Sequence, residues 1–427
     1  MFLINRNSVI VHIWLIVAAC FVAHSVRAQT PDNGFTESDQ NTNLPDETEE
    51  TKSRETPDIS LSEPENSLAD TGSDPETIKE DKLRIVTWGG AYRKSLDNAF
   101  FEPFSDKSGI KIDVVEYKGR SLLPSPTNSK GLADLDVANL SSYEVQKSCE
   151  LGLIAEIDPD LFTQQTKDSN TESDFLSAGI HKCGVGSFAW SLAIIFDKTQ
   201  IKRKREPNSL KSFFNIKRFP GKRSLPEGPK YNLELALLAD GVSSGEVYST
   251  LGTEEGVARA FAVLDKIKDH LVWWKKADEP FTQLANKEVV FATAYSGRIF
   301  NNISRKRLPI KIIWDRQIYD TLFWSIASDT TNKDLALEFI KFATTPRQLA
   351  KLTMQYPYGP LRKSAIDHIG LHSAAKIDLV PFIPTHPTNF KTAIQLDSIW
   401  WKENGNRMSE LFSSWLNGNS ETEENIE

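Results

Sequence analysis

The sequence predicts an α/β fold with a parallel sheet, and three observations lead to it. Leu83-Arg-Ile-Val-Thr-Trp88 is an apolar run of buried-strand type, and Gly89-Gly90 follows as a turn. Apolar residues then recur at helical spacing through Leu96, Phe100 and Phe104 until Gly109. Residues 110–117 form a second strand pattern. The order strand, glycine turn, helix, strand describes a βαβ unit, whose parallel strands need a helical crossover. Further strand patterns lie at 188–196, 289–293, 310–314 and 323–327. Helical patterns fill the gaps at 233–239, 254–268, 333–343 and 345–355, with no repeat at solenoid period.

The chain has 427 residues, room for one or two sizeable cores once a targeting segment is set aside. Its 39% hydrophobic and 25% charged content, with a mean hydropathy of −0.38, excludes a polytopic membrane protein. The net charge of −8 hides a division: residues 29–81 hold 16 acidic against 3 basic side chains. The remainder from Lys82 onward is nearly neutral and makes no electrostatic case for nucleic acid.

Residues 1–28 carry Arg6, an apolar stretch and a Val26-Arg27-Ala28 end suited to signal peptidase, so they read as a secretory signal cleaved after Ala28. Val17-Ala-Ala-Cys20 also resembles a lipobox, leaving Cys20 as an alternative lipidated first residue; an uncleaved anchor is the third option. Residues 29–81 are rich in Asp, Glu, Ser, Thr, Pro and Asn, with Phe35 the single aromatic. Such a segment buries too little apolar area to offset its ordering entropy, so it is expected to be a disordered acidic linker, a tether or a leader without a specific role. The polar tail 417–427 is expected to be unordered on the same ground.

With Cys20 in the signal, Cys149 and Cys183 remain as an even pair, which in an exported chain suggests a disulfide; two buried free thiols are the alternative. In the chain-entropy model a loop of this length contributes about 3 kcal/mol. The histidines at 181, 270, 368, 372 and 386 are scattered, and no metal-ligand spacing, nucleophile elbow, P-loop or dinucleotide fingerprint occurs. Neither a metal nor a cofactor is expected, and an enzyme is the least supported class. Lys202-Arg-Lys-Arg205 lacks interleaved aromatics and reads as solvated surface, with an acidic partner as the alternative.

Several segments together carry a resemblance. Thr87-Trp-Gly-Gly-Ala-Tyr92, Phe100-Phe-Glu-Pro-Phe104, Ser108-Gly-Ile-Lys111, Cys149-Glu-Leu-Gly-Leu153, Trp190-Ser191, Glu234-Leu-Ala-Leu-Leu-Ala-Asp-Gly241, Ala294-Tyr-Ser-Gly-Arg298 and Tyr358-Gly-Pro360 stand in the order found in one group of proteins. Over residues 83–375 the chain resembles the solute-binding proteins of bacterial ABC importers, in the spermidine/putrescine-binding family. The resemblance implies a two-lobed α/β periplasmic-binding-protein fold of type II, with hinge crossovers near Trp190 and Trp324. The N-lobe is then 82–189 with 325–375, and the C-lobe 190–324 with 376–427. It also implies an exported, periplasmic, monomeric, non-catalytic protein that hands a small solute to an inner-membrane ABC permease.

Family ligand positions fall on Trp88, Tyr92, Ser141, Tyr143, Tyr295, Asp320 and Tyr358 or Tyr356. A polyamine site needs aromatic faces for cation–π contact and carboxylates for its ammonium groups. The resemblance therefore implies a polyamine or other small cationic amine, with Trp88, Tyr92 and Tyr295 stacking on it and Asp320 pairing with its charge. Two departures weigh against a multiply charged ligand. Leu322 stands where polyamine binders carry an Asp, and their second acidic pair aligns near Gly228 and Tyr231, with Glu227 nearby. A neutral or carboxylate-bearing solute, met by Arg298 beside Tyr295, is the alternative; a ligand-sensing receptor with the acidic segment as spacer is another.

Overall fold

The computed structural model describes residues 82–117, 123, 131–163, 174–201 and 206–418. All belong to the second of two compact units, Phe35–Glu427. The expected signal, acidic linker, basic run 202–205 and the tail beyond Gly418 lie outside the described residues. No helix among the described residues is long and apolar enough to cross a membrane.

Eleven strands form one mixed sheet: β1 (Lys82–Trp88), β2 (Lys111–Tyr117), β3 (Val137–Ser141), β4 (Ile180–His181), β5 (Gly184–Asp197), β6 (Arg223–Pro226), β7 (Leu271–Trp274), β8 (Phe291–Tyr295), β9 (Ile310–Ile326), β10 (Gly359–Pro360) and β11 (Ile394–Gln395). Their main order is β2-β1-β3-β9-β5-β8-β6-β7. The predicted βαβ unit is present, with β1 and β2 in parallel register from Lys82 opposite Lys111 to Trp88 opposite Tyr117. Its helix runs as Gly90–Leu96, a π turn at Asp97–Phe101, and Glu102–Ser108, ending on Gly109 at φ +75°. Pro103 has no N–H for the helical ladder, and the wide turn just before it accommodates that loss while Phe100, Phe101 and Phe104 stay buried.

The parallel strands expected from the sequence are present in a sheet that is mixed overall. β1, β2 and β3 are parallel, as are β6, β7 and β8, but β5 and β9 run antiparallel to each other and join the two groups. All fourteen residues of β5 are buried, which explains its continuous apolar character. The two strands expected at 310–314 and 323–327 are the ends of the single strand β9. Asp315, Arg316 and Gln317 look like a break, and they form a bulge instead: Ile313 pairs with Ile194 and Ile318 with Leu192, with Arg316 at φ +60°. Polar partners from neighbouring loops hold this bulge in place. Arg316 N donates to Thr392 Oγ1 at 2.9 Å, and Gln317 Nε2 donates to the carbonyls of Pro384 and Asn389 at 2.9 and 2.8 Å.

The core lies on both sides of this seam. Trp324, fully buried, packs edge-on against Phe100, Phe101 and Phe339, with ring centroids 5.4–6.4 Å away. Cys149, in the last turn of the helix Ser142–Glu150, is joined by a disulfide to Cys183 in the turn before β5, with Cα atoms 5.8 Å apart. The expected covalent closure of that loop is present.

Candidate functional site

Strand parity gathers the candidate residues onto one sheet face. Trp190 on β5 stands directly opposite Asp320 on β9, and Leu192, two residues on, stands opposite Tyr295 at the end of β8. Residues paired across a ladder, and those two apart, share a face. β3 continues this face with Ser141 opposite Leu322 and Asn139 opposite Trp324.

Asp320 is the charged centre of that face. It is 5% exposed, accepts a hydrogen bond from Thr321 N at 2.7 Å and is bonded by the Ser142 hydroxyl. Burial raises its pKa above the ordinary aspartate value, while these two bonds and the Lys230 ammonium pull the other way. The Ser142 hydroxyl also lies 2.6 Å from that of Ser398, so with its proton directed to Asp320 it accepts from Ser398.

An aromatic box stands beside it. Tyr295 has ring centroids at 5.6 Å from both Trp190 and Trp274 and 6.4 Å from Tyr231. Tyr231 is a buried non-glycine residue held at φ +71°, its ring edge-on to that of Tyr295 and its hydroxyl within electrostatic reach of Asp320. Backbone held in the left-handed region costs energy, and such residues cluster at ligand clamps. Here the loop is pinned by Asn232 Nδ2, which donates to the carbonyls of Pro226 and Gly228 at 2.7 and 2.6 Å. Lys230 Nζ sits 5.5 Å from the Tyr231 ring centroid. The indole N–H of Trp190 is buried without a hydrogen-bond partner among the described residues.

A second cluster lies at the first helix. Tyr92 OH donates to Asn139 Oδ1 at 3.1 Å, and its ring is 5.9 Å from Tyr356 and 6.0 Å from Tyr358. These tyrosines meet the start of the helix Ser296–Ser304, where a Cβ added at Gly297 would come 3.2 Å from Tyr356 OH and from Tyr358. Arg298, one residue on, places its charge near Tyr356 and its Nη1 3.4 Å from Asp278.

The structure thus brings Tyr295 together with Asp320, and Tyr92 with Tyr356 and Tyr358. Trp88 closes β1 against Tyr117, with centroids 4.1 Å apart edge-on. Ser141 is engaged in a capping box: its hydroxyl donates to Glu144 Oε2 at 2.9 Å and accepts from Glu144 N at 3.4 Å. Tyr143 faces the C-terminal helix Ser398–Asn417, with Lys402 Nζ 5.8 Å from its ring centroid. Sequence reasoning did not place Trp190, Ser142, Lys230 or Tyr231 in the site. The resemblance puts a hinge crossover near Trp190 and gives it no ligand role. Tyr231 is set by a backbone conformation that no local pattern announces.

The two positions that departed from the polyamine pattern have definite surroundings. Leu322 is buried among apolar neighbours, and Glu227 points to Lys275, 3.0 Å away, rather than toward Asp320. Among the described residues, one cluster of metal-ligating types occurs, Cys149, His181 and Cys183, and its two sulfurs are bonded to each other.

A fold of two parallel strand groups joined by a long antiparallel pair, with a buried polar and aromatic face at the junction, is that of a two-lobed binding protein. The chain belongs to the bacterial extracellular solute-binding protein family, whose model matches residues 99–378, more than half its length. It is a solute-binding protein of the ABC-transporter type, a class that captures a small ligand and delivers it to a permease. The γ-aminobutyric acid-binding protein of Pseudomonas aeruginosa is 33% identical over 333 residues, covering 78% of this chain and 90% of that protein. The spermidine/putrescine-binding periplasmic protein of Escherichia coli is 23% identical over 269 residues, covering 60% and 72%. Among solved structures, the open, unliganded binding protein AttC of Agrobacterium tumefaciens C58 aligns with a TM-score of 0.63 at 23% identity, covering 79% of this chain and all of that one.

Proposed function

We propose that the protein captures a small zwitterionic ω-amino acid of the γ-aminobutyrate type in the periplasm and, as a monomer, presents it to an inner-membrane ABC permease. The observation that carries this reading is the charge balance at the sheet face. Asp320 stands buried among aromatic rings with a cation, Lys230, close enough to act on it, while the other buried acid that Lys230 reaches, Glu234, is already engaged by Trp401 and Tyr248. That set matches one ammonium and one carboxylate. A diamine or triamine would bring two or three positive charges to the one buried acid not held by indole and phenol donors, beside a lysine, an uncompensated arrangement in a dry site. The 33% identity to a γ-aminobutyric acid-binding protein supports the same ligand class, the carboxylate-bearing alternative of the sequence reading.

In this assignment Asp320 takes the ammonium, Trp190 and Tyr295 enclose the alkyl chain, and Lys230 with the Trp190 indole N–H receives the carboxylate. Arg298 and the Tyr92, Tyr356 and Tyr358 cluster close the far side. Trp88, Ser141 and Tyr143 support the walls. The lobes read from the sequence meet along β5 and β9, so opening about their bulges is the route by which a solute reaches a face whose Tyr295 and Tyr358 are 2% and 4% exposed. The polyamine reading keeps one support, the 23% identical spermidine/putrescine-binding relative.

Calorimetric titration with γ-aminobutyrate, 5-aminovalerate, putrescine, spermidine and glutamate decides between them. Heat with the ω-amino acids and none with the polyamines is expected. Tighter binding of putrescine than of γ-aminobutyrate would discard the zwitterion assignment while leaving the family untouched.

A further inference from the structure

Away from the candidate site, an open groove runs between the helix Glu102–Ser108 and the start of the helix Pro346–Thr353. Its floor is apolar, with Pro103, Phe342 and Pro346, and its rim carries Lys107, Arg347 and Lys351 but no carboxylate. Lys107 Nζ lies 5.7 Å from the Phe342 ring centroid, and none of the three cations makes an ion pair among the described residues. By contrast, Lys82 and Arg84 on β1 both hold Asp113. A groove with an apolar floor and an unmatched basic rim fits an extended acidic segment with apolar residues between its charges.

The sequence itself contains such a segment upstream of Lys82. Lys82, where the described part begins, is the register partner of Lys111, only four residues after Lys107. Upstream, Asp58-Ile-Ser-Leu-Ser-Glu-Pro-Glu65 alternates acids with Ile59 and Leu61, offering three carboxylates to three rim cations. Sixteen residues lie between Glu65 and Lys82. As a random coil such a span averages about 20 Å end to end, and extended it reaches beyond 50 Å, so the groove is within range. Tethering holds the effective concentration near the millimolar level, so a weak site is occupied.

We propose that residues 58–65 dock into the Lys107, Phe342, Arg347 and Lys351 groove of their own chain. Docking divides the acidic segment into a bound stretch and a shorter spacer at its N-terminal side, which sets how far the folded part stands from whatever holds the N-terminus.

Zero-length carbodiimide cross-linking of the full mature chain, followed by peptide mapping, tests this. Cross-links from Asp58, Glu63 or Glu65 to Lys107 or Lys351, within single molecules, are expected at low salt and lost at 0.5 M NaCl, as the Debye length falls below 5 Å. In the full chain carrying Glu63→Gln and Glu65→Gln, acetylation of Lys107 and Lys351 is expected to speed up several-fold, with ligand affinity unchanged. Cross-links spread equally over Lys217, Lys222 and Lys306 would overturn the proposal. So would links formed only between molecules, which would make a second copy the occupant, and so would equal acetylation rates in the two proteins.

Discussion

Asp320 and Glu234 are both carboxylates with almost no solvent contact, yet their surroundings assign them opposite tasks. Asp320 is held by a backbone N–H and a serine hydroxyl, with Lys230 nearby, so its charge is sustained but not fully matched. Glu234, in the helix Asn232–Ala239, offers Oε1 to Trp401 Nε1 at 2.5 Å and to Tyr248 OH at 3.1 Å. Its Oε2 is buried without a partner among the described residues, and burial pushes its pKa up to about 7. In the proposed assignment Asp320 awaits a ligand cation, whereas Glu234 clamps the C-terminal helix and is easily neutralised. Burial alone therefore does not mark a binding carboxylate, and the bonding partners do.

The largest effect belongs to Glu234. Between the unfolded value near 4.5 and the folded value of about 7, the native state holds a proton that the unfolded state has released, so stability falls as pH rises through that window. The loss is about 3 kcal/mol once pH exceeds 7. Glu234→Gln keeps an oxygen for Trp401 and Tyr248 and removes the titration. Chemical unfolding at pH 4, 6 and 8 should show the variant gaining on the wild type by that amount across the range, with ligand affinity preserved. A constant difference at every pH would show that Glu234 does not titrate there and would collapse the contrast with Asp320.

For Asp320 the expected change is in binding. Asp320→Asn removes a charge-assisted bond to an ammonium, worth about 1.5–3 kcal/mol, or roughly 10- to 150-fold in dissociation constant. The wild-type affinity should also fade on acidification at a higher pH than an ordinary aspartate dictates, because burial raises the pKa and only the ionised form attracts the ligand. Calorimetry on both proteins from pH 4 to 7 measures this. Unchanged affinity in the variant would remove Asp320 from the site.

The contrast also shows what the sequence could disclose. The βαβ start, the helix Lys333–Ala343 and the disulfide pair were legible because local apolar period, glycine stops and cysteine parity act over a few residues. β3, β6, β7 and the helices Ser142–Glu150 and Ser398–Asn417 were not, since short strands and a helix whose apolar stripe is interrupted by Lys402, Glu403 and Asn404 carry little periodic signal. β9 was split because its bulge is polar, and partners distant in sequence, Thr392 and Asn389, are what complete it. Within the site, Asp320, Tyr295, Tyr92 and Tyr358 came from ordered family segments. Lys230 and Tyr231 depend on a left-handed turn and on a fold that lays this loop against β9, neither of which is local information.

Lys230 supplies the smallest effect and the sharpest discrimination. If its ammonium receives the ligand carboxylate, Lys230→Met should weaken γ-aminobutyrate by about 1 kcal/mol, since the side chain is half-buried and partly screened. The same variant takes away a positive charge that opposes any added ammonium at Asp320, so putrescine binding should improve. Opposite changes for the two ligands are the expected result of paired calorimetric titrations at low salt, and 0.5 M NaCl should shrink both. If Lys230 merely props the Tyr231 turn, both ligands should weaken together. In that case the carboxylate contact passes to Arg298 beside Tyr356, and Arg298→Met becomes the variant in which the two ligands separate.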